Sequence, residues 1–149
     1  MTTNTRKLLT ADLDWAGGLC SKVKIRDHIV TIDSSKDEGG DNLGPAPTEL
    51  FLAALGGCIT INVFRIAKKM RIDLENVRMK ISGMKEQNNH PSSFTELHVD
   101  VSIDTDIRDD ARLEKLIRLA EENCTVSNTL RRAVSPIVRL RVLADRANR

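Results

Sequence analysis

The stretch PTELFLAALGGCIT, residues 47–60, decides the fold of this chain. Its segment 50–59 has no polar side chain other than the thiol of Cys58, which follows a glycine pair. Pro47 and Glu49 are typical of the first turn of a helix, where a carboxylate meets the positive end of the helix dipole. The stretch therefore predicts a long central helix that is apolar on almost every side.

A helix of this kind has to be covered on all its faces. One sheet covers one face only, so a second copy of the chain is the predicted cover for the rest. Gly56 and Gly57 favour this interpretation, because each costs about 1 kcal/mol relative to alanine inside a helix, and close approach of another backbone would offset that cost. A simple kink at the two glycines is the alternative.

The remaining pattern predicts an α+β fold in which a sheet wraps around the long hydrophobic helix. At 149 residues the chain is long enough for a single domain, 1–149, and too short for two. A polar, glycine-rich loop is expected over 34–44. The predicted elements follow the order βββ-α-ββ-αα-β: strands within 7–15, 21–25 and 28–33, a helix over 47–71, strands over 77–85 and 94–104, helices over 109–122 and 125–134, and a strand over 137–143.

Composition excludes several functional classes. The net charge is only +2, and aromatic residues make up 3% of the chain, so stacking platforms for single-stranded nucleic acid are not expected. The apolar segment 50–66 contains Thr60, Asn62 and Arg65 and is shorter than the ~20 residues that a bilayer needs. With no signal-peptide pattern at the N-terminus, we expect a cytoplasmic protein that binds neither nucleic acid nor membrane and has reduced cysteines.

The three cysteines occupy different sequence environments. Cys20 lies on a predicted strand, and Cys58 lies in the hydrophobic helix; a single buried cysteine of this kind is usually a small hydrophobic residue. Cys124, in ENCTVSN, lies at a polar junction before a predicted helix, where backbone N–H groups stabilise a thiolate. The spacing leaves open whether Cys58 and Cys124 meet.

The segments PTELFLAALGGC and CTVSNTL together resemble the two signature segments of the osmotically inducible protein C / organic hydroperoxide resistance (OsmC/Ohr) superfamily, in its OsmC-like branch. The resemblance extends over about residues 15–143. It implies an intertwined homodimer with central helices packed back to back and active sites at the subunit interface. It also implies reduction of organic hydroperoxides, with Cys58 as the peroxidatic cysteine and Cys124 as the resolving cysteine.

The chemistry suits these residue types. A thiolate attacks the peroxide oxygen and becomes a sulfenic acid, which a nearby second thiol converts to a disulfide. An external dithiol, of lipoyl type or another class, then reduces the disulfide, and no cofactor or metal is needed. An apolar pocket around Cys58 would admit alkyl or fatty-acid hydroperoxides.

The chain departs from the family at the residues that activate the first cysteine. Members of the family pair an arginine with a glutamate for this purpose, but Thr48 and Leu19 occupy the corresponding positions here. Glu49 is the neighbouring carboxylate; nine residues of ideal helix turn about 180°, so it faces away from its own Cys58 and would serve the partner's. Arg26 and Arg65 are candidate substitutes for the arginine, with a solvated surface charge as the alternative for each.

Two other functions stay open. One is a redox-inert protein of this fold that binds a small apolar or acyl ligand at the dimer interface; thiol titration after one equivalent of cumene hydroperoxide would distinguish it. The other is a metal site or a cysteine–histidine hydrolase. His28, His90 and His98 lack ligand spacing relative to the cysteines, which argues against this second function.

Overall fold

The computed structural model describes residues 6–86 and 91–132, together with Pro136 and Val138. Apart from Val138, the predicted strand over 137–143 therefore lies outside the described residues, as do His90 and the last two residues of the helix predicted over 125–134. The elements in chain order are β1 (Asp12–Gly17), β2 (Cys20–Ile25), β3 (His28–Ile32), a short 3-10 helix (Lys36–Glu38), α1 (Pro47–Met70), β4 (Asn76–Lys85), β5 (Phe94–Asp104), α2 (Asp110–Glu122) and α3 (Thr125–Arg132).

The long helix α1 begins and ends where local chemistry sets its limits. At its start the carboxylate of Glu49 accepts a hydrogen bond from the backbone N–H of Ala46 at 2.7 Å, which satisfies one of the donors that a helix start leaves free. At its end Arg71 adopts a left-handed conformation with φ of 55°. The guanidinium of Arg112, on α2, donates to the carbonyl oxygen of Met70 and so joins the two helices.

One face of α1 forms the core with β4, α2 and α3. Leu55, Ile59 and Val63 of this face are buried and pack in one cluster with Leu116 of α2 and with Cys124. The antiparallel strands β4 and β5 add partly buried apolar side chains to this core. These come from alternate positions, because successive side chains of a strand point to opposite faces of the sheet. The core is thus a helix layer on a two-stranded sheet, with α1 as its central element.

The opposite face of α1 is exposed in the single chain. Ala53 and Gly57 lie there, and further along the helix Ile61 is 53% and Phe64 is 48% exposed. By length and hydropathy α1 could span a membrane, but a core helix of a soluble protein meets the same criteria. The exposed face is apolar, as the sequence predicted.

The glycine pair has two different surroundings. A Cβ built on Gly56 would lie 2.3 Å from Cδ1 of Ile81, so this glycine lets β4 approach α1 closely. Gly57 has open space around it within the chain. The close approach at Gly56 is therefore made by a side chain of the same chain rather than by another backbone.

The N-terminal strands form a separate sheet in the order β1–β2–β3, so the two groups of strands do not join into one sheet among the described residues. Several large apolar side chains of this sheet are exposed, among them Leu13 (61%), Trp15 (78%) and Ile29 (63%). The loop that follows is organised by Asp33, which is buried and accepts hydrogen bonds from the N–H groups of Ser34, Asp41 and Leu43.

Candidate functional site

Cys58 and Cys124 come together in the structure. Cys58 is half-buried on α1. Cys124 is fully buried and directly precedes the first residue of α3. The two side chains are near enough for each thiol to affect the pKa of the other, and both thiols are free. Their meeting, which the spacing left open, follows from the packing of α2 and α3 onto α1.

A side-chain hydrogen bond holds the turn between α2 and α3 against α1. Asn62, one helical turn beyond Cys58, is buried, and its amide donates to the carbonyl oxygen of Asn123 at 3.0 Å. Asn123 immediately precedes Cys124 and closes α2. This partly buried hydrogen bond therefore fixes the turn that bears Cys124 to the helix that bears Cys58.

The start of α3 provides hydrogen-bond donors to both sulfurs. The backbone N–H of Ser127 donates to Sγ of Cys124 at 3.4 Å. The N–H groups of Thr125 and Val126 are directed at Cys58. This concentration of donors is what the first turn of a helix offers, because its N–H groups have no partner within the helix.

The two thiols have pKa values shifted in opposite directions. Burial raises the pKa of Cys58, and the adjacent Cys124 raises it further, against the lowering effect of the Val126 N–H. Burial also acts to raise the pKa of Cys124, but the donors from Ser127, Cys58 and Val126 outweigh it and lower that pKa below its usual value.

An apolar cavity of about 390 Å³ adjoins the sulfur pair. Ser127 lines the cavity and also contacts Cys124, so the cavity and the pair share a wall. Apart from Glu121, Ser127 and Arg131, the lining is aliphatic: Leu55, Ile59, Leu97, Val99, Val101, Ile117 and Leu130. A groove of about 670 Å³ continues along β5 and α2 and shares Val99, Val101, Ile117 and Glu121 with the cavity. The site has room for an extended apolar molecule.

The polar members of the lining include an ion pair that the sequence analysis did not identify. The guanidinium of Arg131, on α3, contacts the carboxylate of Glu121, on α2, and this contact raises the pKa of Arg131; Cys124 also interacts with it electrostatically. The sequence gives only part of the signal for this pair, because Ser127 and Arg131 lie four residues apart on one face of α3, whereas Glu121 belongs to α2.

The other residues that the sequence analysis singled out are not among the groups that interact with the two sulfurs. Glu49 caps α1 and lines a polar recess of about 180 Å³ together with Thr48. Leu19 and Arg26 lie exposed in the two hairpin turns of the N-terminal sheet, and Arg65 is exposed on α1. Cys20 is buried on β2.

No group of three or more histidine, cysteine, aspartate or glutamate side chains is arranged to hold a metal ion within the part of the chain that the structure describes. The chemistry available at the site is that of two adjacent thiols beside an apolar cavity.

The fold and this dithiol site define the class of protein. The sequence model of the family described as OsmC-like protein matches residues 39–139, and the chain belongs to this family. It is 29% identical to protein YhfA of Escherichia coli K12 over 109 residues, which are 72% of this chain and 78% of the relative. The suspected family resemblance is thereby confirmed.

Solved structures share the fold. An OsmC-like protein of unknown function from Vibrio cholerae superposes with a TM-score of 0.72 at 21% identity, covering 83% of this chain and 94% of that one. An organic hydroperoxide resistance protein OsmC from Legionella pneumophila gives a TM-score of 0.63 at 23% identity, covering 85% of this chain and 92% of that one. The α+β fold with a central helix is confirmed by these neighbours.

Proposed function

We propose that this protein is a thiol-dependent peroxidase that reduces organic hydroperoxides in oxidative-stress defence. The observation that carries the proposal is the contact between the thiols of Cys58 and Cys124 next to an apolar cavity. Membership of the OsmC-like family, and neighbours named as organic hydroperoxide resistance proteins, support a peroxide-related redox role.

The proposed roles of the two cysteines follow from their exposure. Cys58 is half-buried, whereas Cys124 has no exposed surface, so Cys58 is the sulfur that a peroxide can reach. Its thiolate attacks one peroxide oxygen, the O–O bond breaks, and the alcohol leaves. The Cys124 thiol then attacks the sulfenic acid on Cys58; an S–S bond forms, the S–O bond breaks, and water leaves. A cytoplasmic dithiol of lipoyl type or another class reduces the disulfide and completes the cycle.

We further propose that the active form is a homodimer of single-domain chains. The exposed apolar residues of α1, such as Ile61 and Phe64, and those of the β1–β2–β3 sheet, such as Trp15, support a second copy as their cover. In such a dimer the carboxylate of Glu49 would act at the partner's Cys58, in keeping with its orientation on α1. Within one chain, its observed role is the cap at the start of that helix.

The test is peroxide consumption by the purified, reduced protein with lipoyl-type dithiols, thioredoxin and glutathione as alternative donors. We expect organic hydroperoxides to be reduced at least ~10-fold more efficiently than hydrogen peroxide, a ratio that needs about 1.4 kcal/mol. Burial of each CH₂ group contributes about 0.8 kcal/mol, and hydrogen peroxide has none to bury. Equal efficiencies would contradict a role for the apolar cavity in substrate binding.

A protein that consumes no peroxide with any dithiol would favour the second candidate function, binding of a small apolar or acyl ligand by redox-inert thiols. The aliphatic lining of the cavity is the observation that supports this alternative. Titration of free thiols after one equivalent of cumene hydroperoxide separates the two functions: the peroxidase loses both active-site thiols, and the binding protein loses neither.

A further inference from the structure

The aliphatic cavity beside the two cysteines has a cation in its wall. Its charged lining residues are Arg131, on α3, and Glu121, on α2. Ser127, whose N–H donates to Sγ of Cys124, lies one turn of α3 before Arg131, which is about 6 Å of helix rise. A ligand in the cavity therefore has the sulfur pair near one end and a guanidinium near the other.

The guanidinium of Arg131 is held in place by two neighbours. One Nη donates to Oδ1 of Asn128 at 3.1 Å, and the other contacts the carboxylate of Glu121. Asn128 is itself fixed, because its amide nitrogen donates to the carbonyl oxygen of Glu122, at the end of α2, at 2.9 Å. The guanidinium is thus ordered before a ligand binds, which lowers the entropy cost of binding.

These contacts leave part of the guanidinium's donor capacity unused. An arginine side chain has five N–H donors, and within the described part of the chain the hydrogen bonds of Arg131 engage two of them. The planar guanidinium matches a carboxylate through two parallel hydrogen bonds, so it can bind a second carboxylate beside that of Glu121. The aliphatic lining of the cavity lowers the local dielectric, which strengthens such a contact.

Arg118 is less suited to the same role. It lines the groove along β5 and α2 rather than the cavity that Ser127 borders. It pairs with Glu122 on its own helix at 2.9 Å, and 61% of its side chain is exposed. Solvent screens an exposed cation of this kind, so its contact with an anion contributes little.

We propose that Arg131 is a specificity-determining residue that binds the carboxylate of an acidic, apolar substrate whose hydrocarbon part lies in the cavity. Glu121 orders the guanidinium and also competes with the ligand for it. This inference rests on the proposed function and deepens it, because it makes carboxylate-bearing hydroperoxides the preferred substrates over neutral ones with the same hydrocarbon chain.

The binding step can be measured without peroxide, by calorimetric titration of the reduced protein with decanoate and with decanol. The two ligands share a hydrocarbon chain and differ in the charge of the head group. We expect Arg131→Gln to weaken decanoate binding by about tenfold, which corresponds to about 1.4 kcal/mol, and to leave decanol binding within about twofold.

Glu121→Gln should have the opposite effect on decanoate. It removes the competing carboxylate and its repulsion of the ligand, so decanoate should bind more tightly, with decanol again within about twofold. An ion pair that only joins α2 to α3 would not give opposite effects, because loss of either partner breaks it. Opposite signs also distinguish ligand binding from a general loss of folding in the variants.

Arg132→Gln is the matched control. Arg132 is the next residue of α3, is exposed, and lines a separate recess with Thr125 and Thr129, so its substitution should leave decanoate binding unchanged. The proposal is overturned if Arg131→Gln weakens both ligands equally, or if Arg131→Gln and Glu121→Gln change decanoate binding in the same direction. It is also overturned if Arg132→Gln or Arg118→Gln reproduces the loss, or if the parent protein binds no decanoate.

Turnover separates failure of this inference from failure of the proposed function. The parent should have a higher kcat/KM for the hydroperoxide of linoleic acid than for that of its methyl ester, and Arg131→Gln should lose this preference. Carboxylate-selective binding by a protein inert to hydroperoxides would contradict the peroxidase function and support the role of Arg131. Rapid turnover with equal efficiency for acid and ester would support the peroxidase function and overturn the role of Arg131.

Discussion

At the scale of single residues, the two sulfurs have separable roles that substitution can test. Cys58→Ser should abolish turnover, because Cys58 is half-buried and can be reached by a peroxide, whereas Cys124 has no exposed surface. Cys124→Ser should consume about one equivalent of peroxide and leave a sulfenic acid on Cys58 that is trappable with a dimedone-type reagent and prone to over-oxidation. Mass spectrometry of the oxidised parent should identify a Cys58–Cys124 disulfide within one chain.

Cys20 provides the matched control for these substitutions. It is buried on β2, and we expect Cys20→Ser to keep turnover within about twofold of the parent. A loss as large as that of Cys58→Ser, or disulfides formed only between chains through Cys20, would show that the pair is misassigned.

A second prediction for a single residue concerns Asp33 and the pH dependence of the protein's stability. The N–H of Leu43, together with those of Ser34 and Asp41, lowers the pKa of this carboxyl below its usual value, against the effect of burial. A lowered pKa in the folded state means that the carboxylate stabilises the protein above its unfolded pKa of about 3.9 and that this stabilisation is lost as pH falls through the folded value.

The measurement is thermal unfolding from pH 7 to pH 3 for the parent and Asp33→Asn. The parent should be the more stable protein at neutral pH, and the difference should shrink below about pH 4. Asp37→Asn, an exposed position in the same loop, is the control. A difference between parent and Asp33→Asn that is independent of pH would contradict the role of the ionised carboxylate.

The individual cysteines of the site could be predicted from the sequence, but the contacts between its residues could not. Cys58 and Cys124 stand in local motifs, so sequence alone drew attention to both. Their contact is made by α2 folding back onto α1, a non-local event that the spacing does not contain. Glu121 and Arg131 belong to two different helices, and the turn at Asn123 brings them together. No rule for pairs within one helix would have found them.

At the scale of elements, the packing of α1 on β4 depends on Gly56. Alanine there gains about 1 kcal/mol of helix propensity, but its Cβ meets Ile81 at 2.3 Å, and overpacking costs about 1–3 kcal/mol. We expect Gly56→Ala to lower the free energy of unfolding by about 1 kcal/mol. Urea denaturation measures the change.

Ile81→Val removes the Cδ1 atom that the new methyl group would meet, so it is the internal control. Alone it should cost about 0.5–1.5 kcal/mol, and together with Gly56→Ala it should cost less than the sum of the two single changes. If the two free-energy changes were strictly additive, Gly56 would not be needed to make room for the side chain of Ile81.

The elements themselves were largely predictable. The strand over 94–104 and the start of α1 at Pro47 were found because hydrophobic period and proline position are local signals. The strand predicted within 7–15 is shorter, Asp12–Gly17, and the strands form two separate sheets among the described residues. Alternation of apolar and polar residues identifies a strand, but it does not identify the neighbouring strand. The sequence therefore predicted the strands but not their division into two sheets.

At the scale of the whole molecule, the apolar face of α1 decides the predicted assembly. Ile61 and Phe64 are about half exposed in one chain, and large apolar groups on a long helix are usually covered. We expect the parent protein to sediment as a dimer at micromolar concentration. Phe64→Glu should shift it toward the monomer, because a carboxylate without a partner is costly to bury. Lys68→Gln, exposed further along the same helix, should leave the dimer intact.

Gly57 makes the test of this face more specific. It has open space within the chain, so Gly57→Ala in a monomer should add about 1 kcal/mol of stability through helix propensity. If the helices of two copies pack closely there, the added methyl group instead weakens the dimer, and the dissociation constant measured by sedimentation rises. A parent protein that is monomeric at micromolar concentration, with Gly57→Ala simply more stable, would contradict the dimer. The cavity beside Cys58 and Cys124 would then have to bind its substrate without a second subunit.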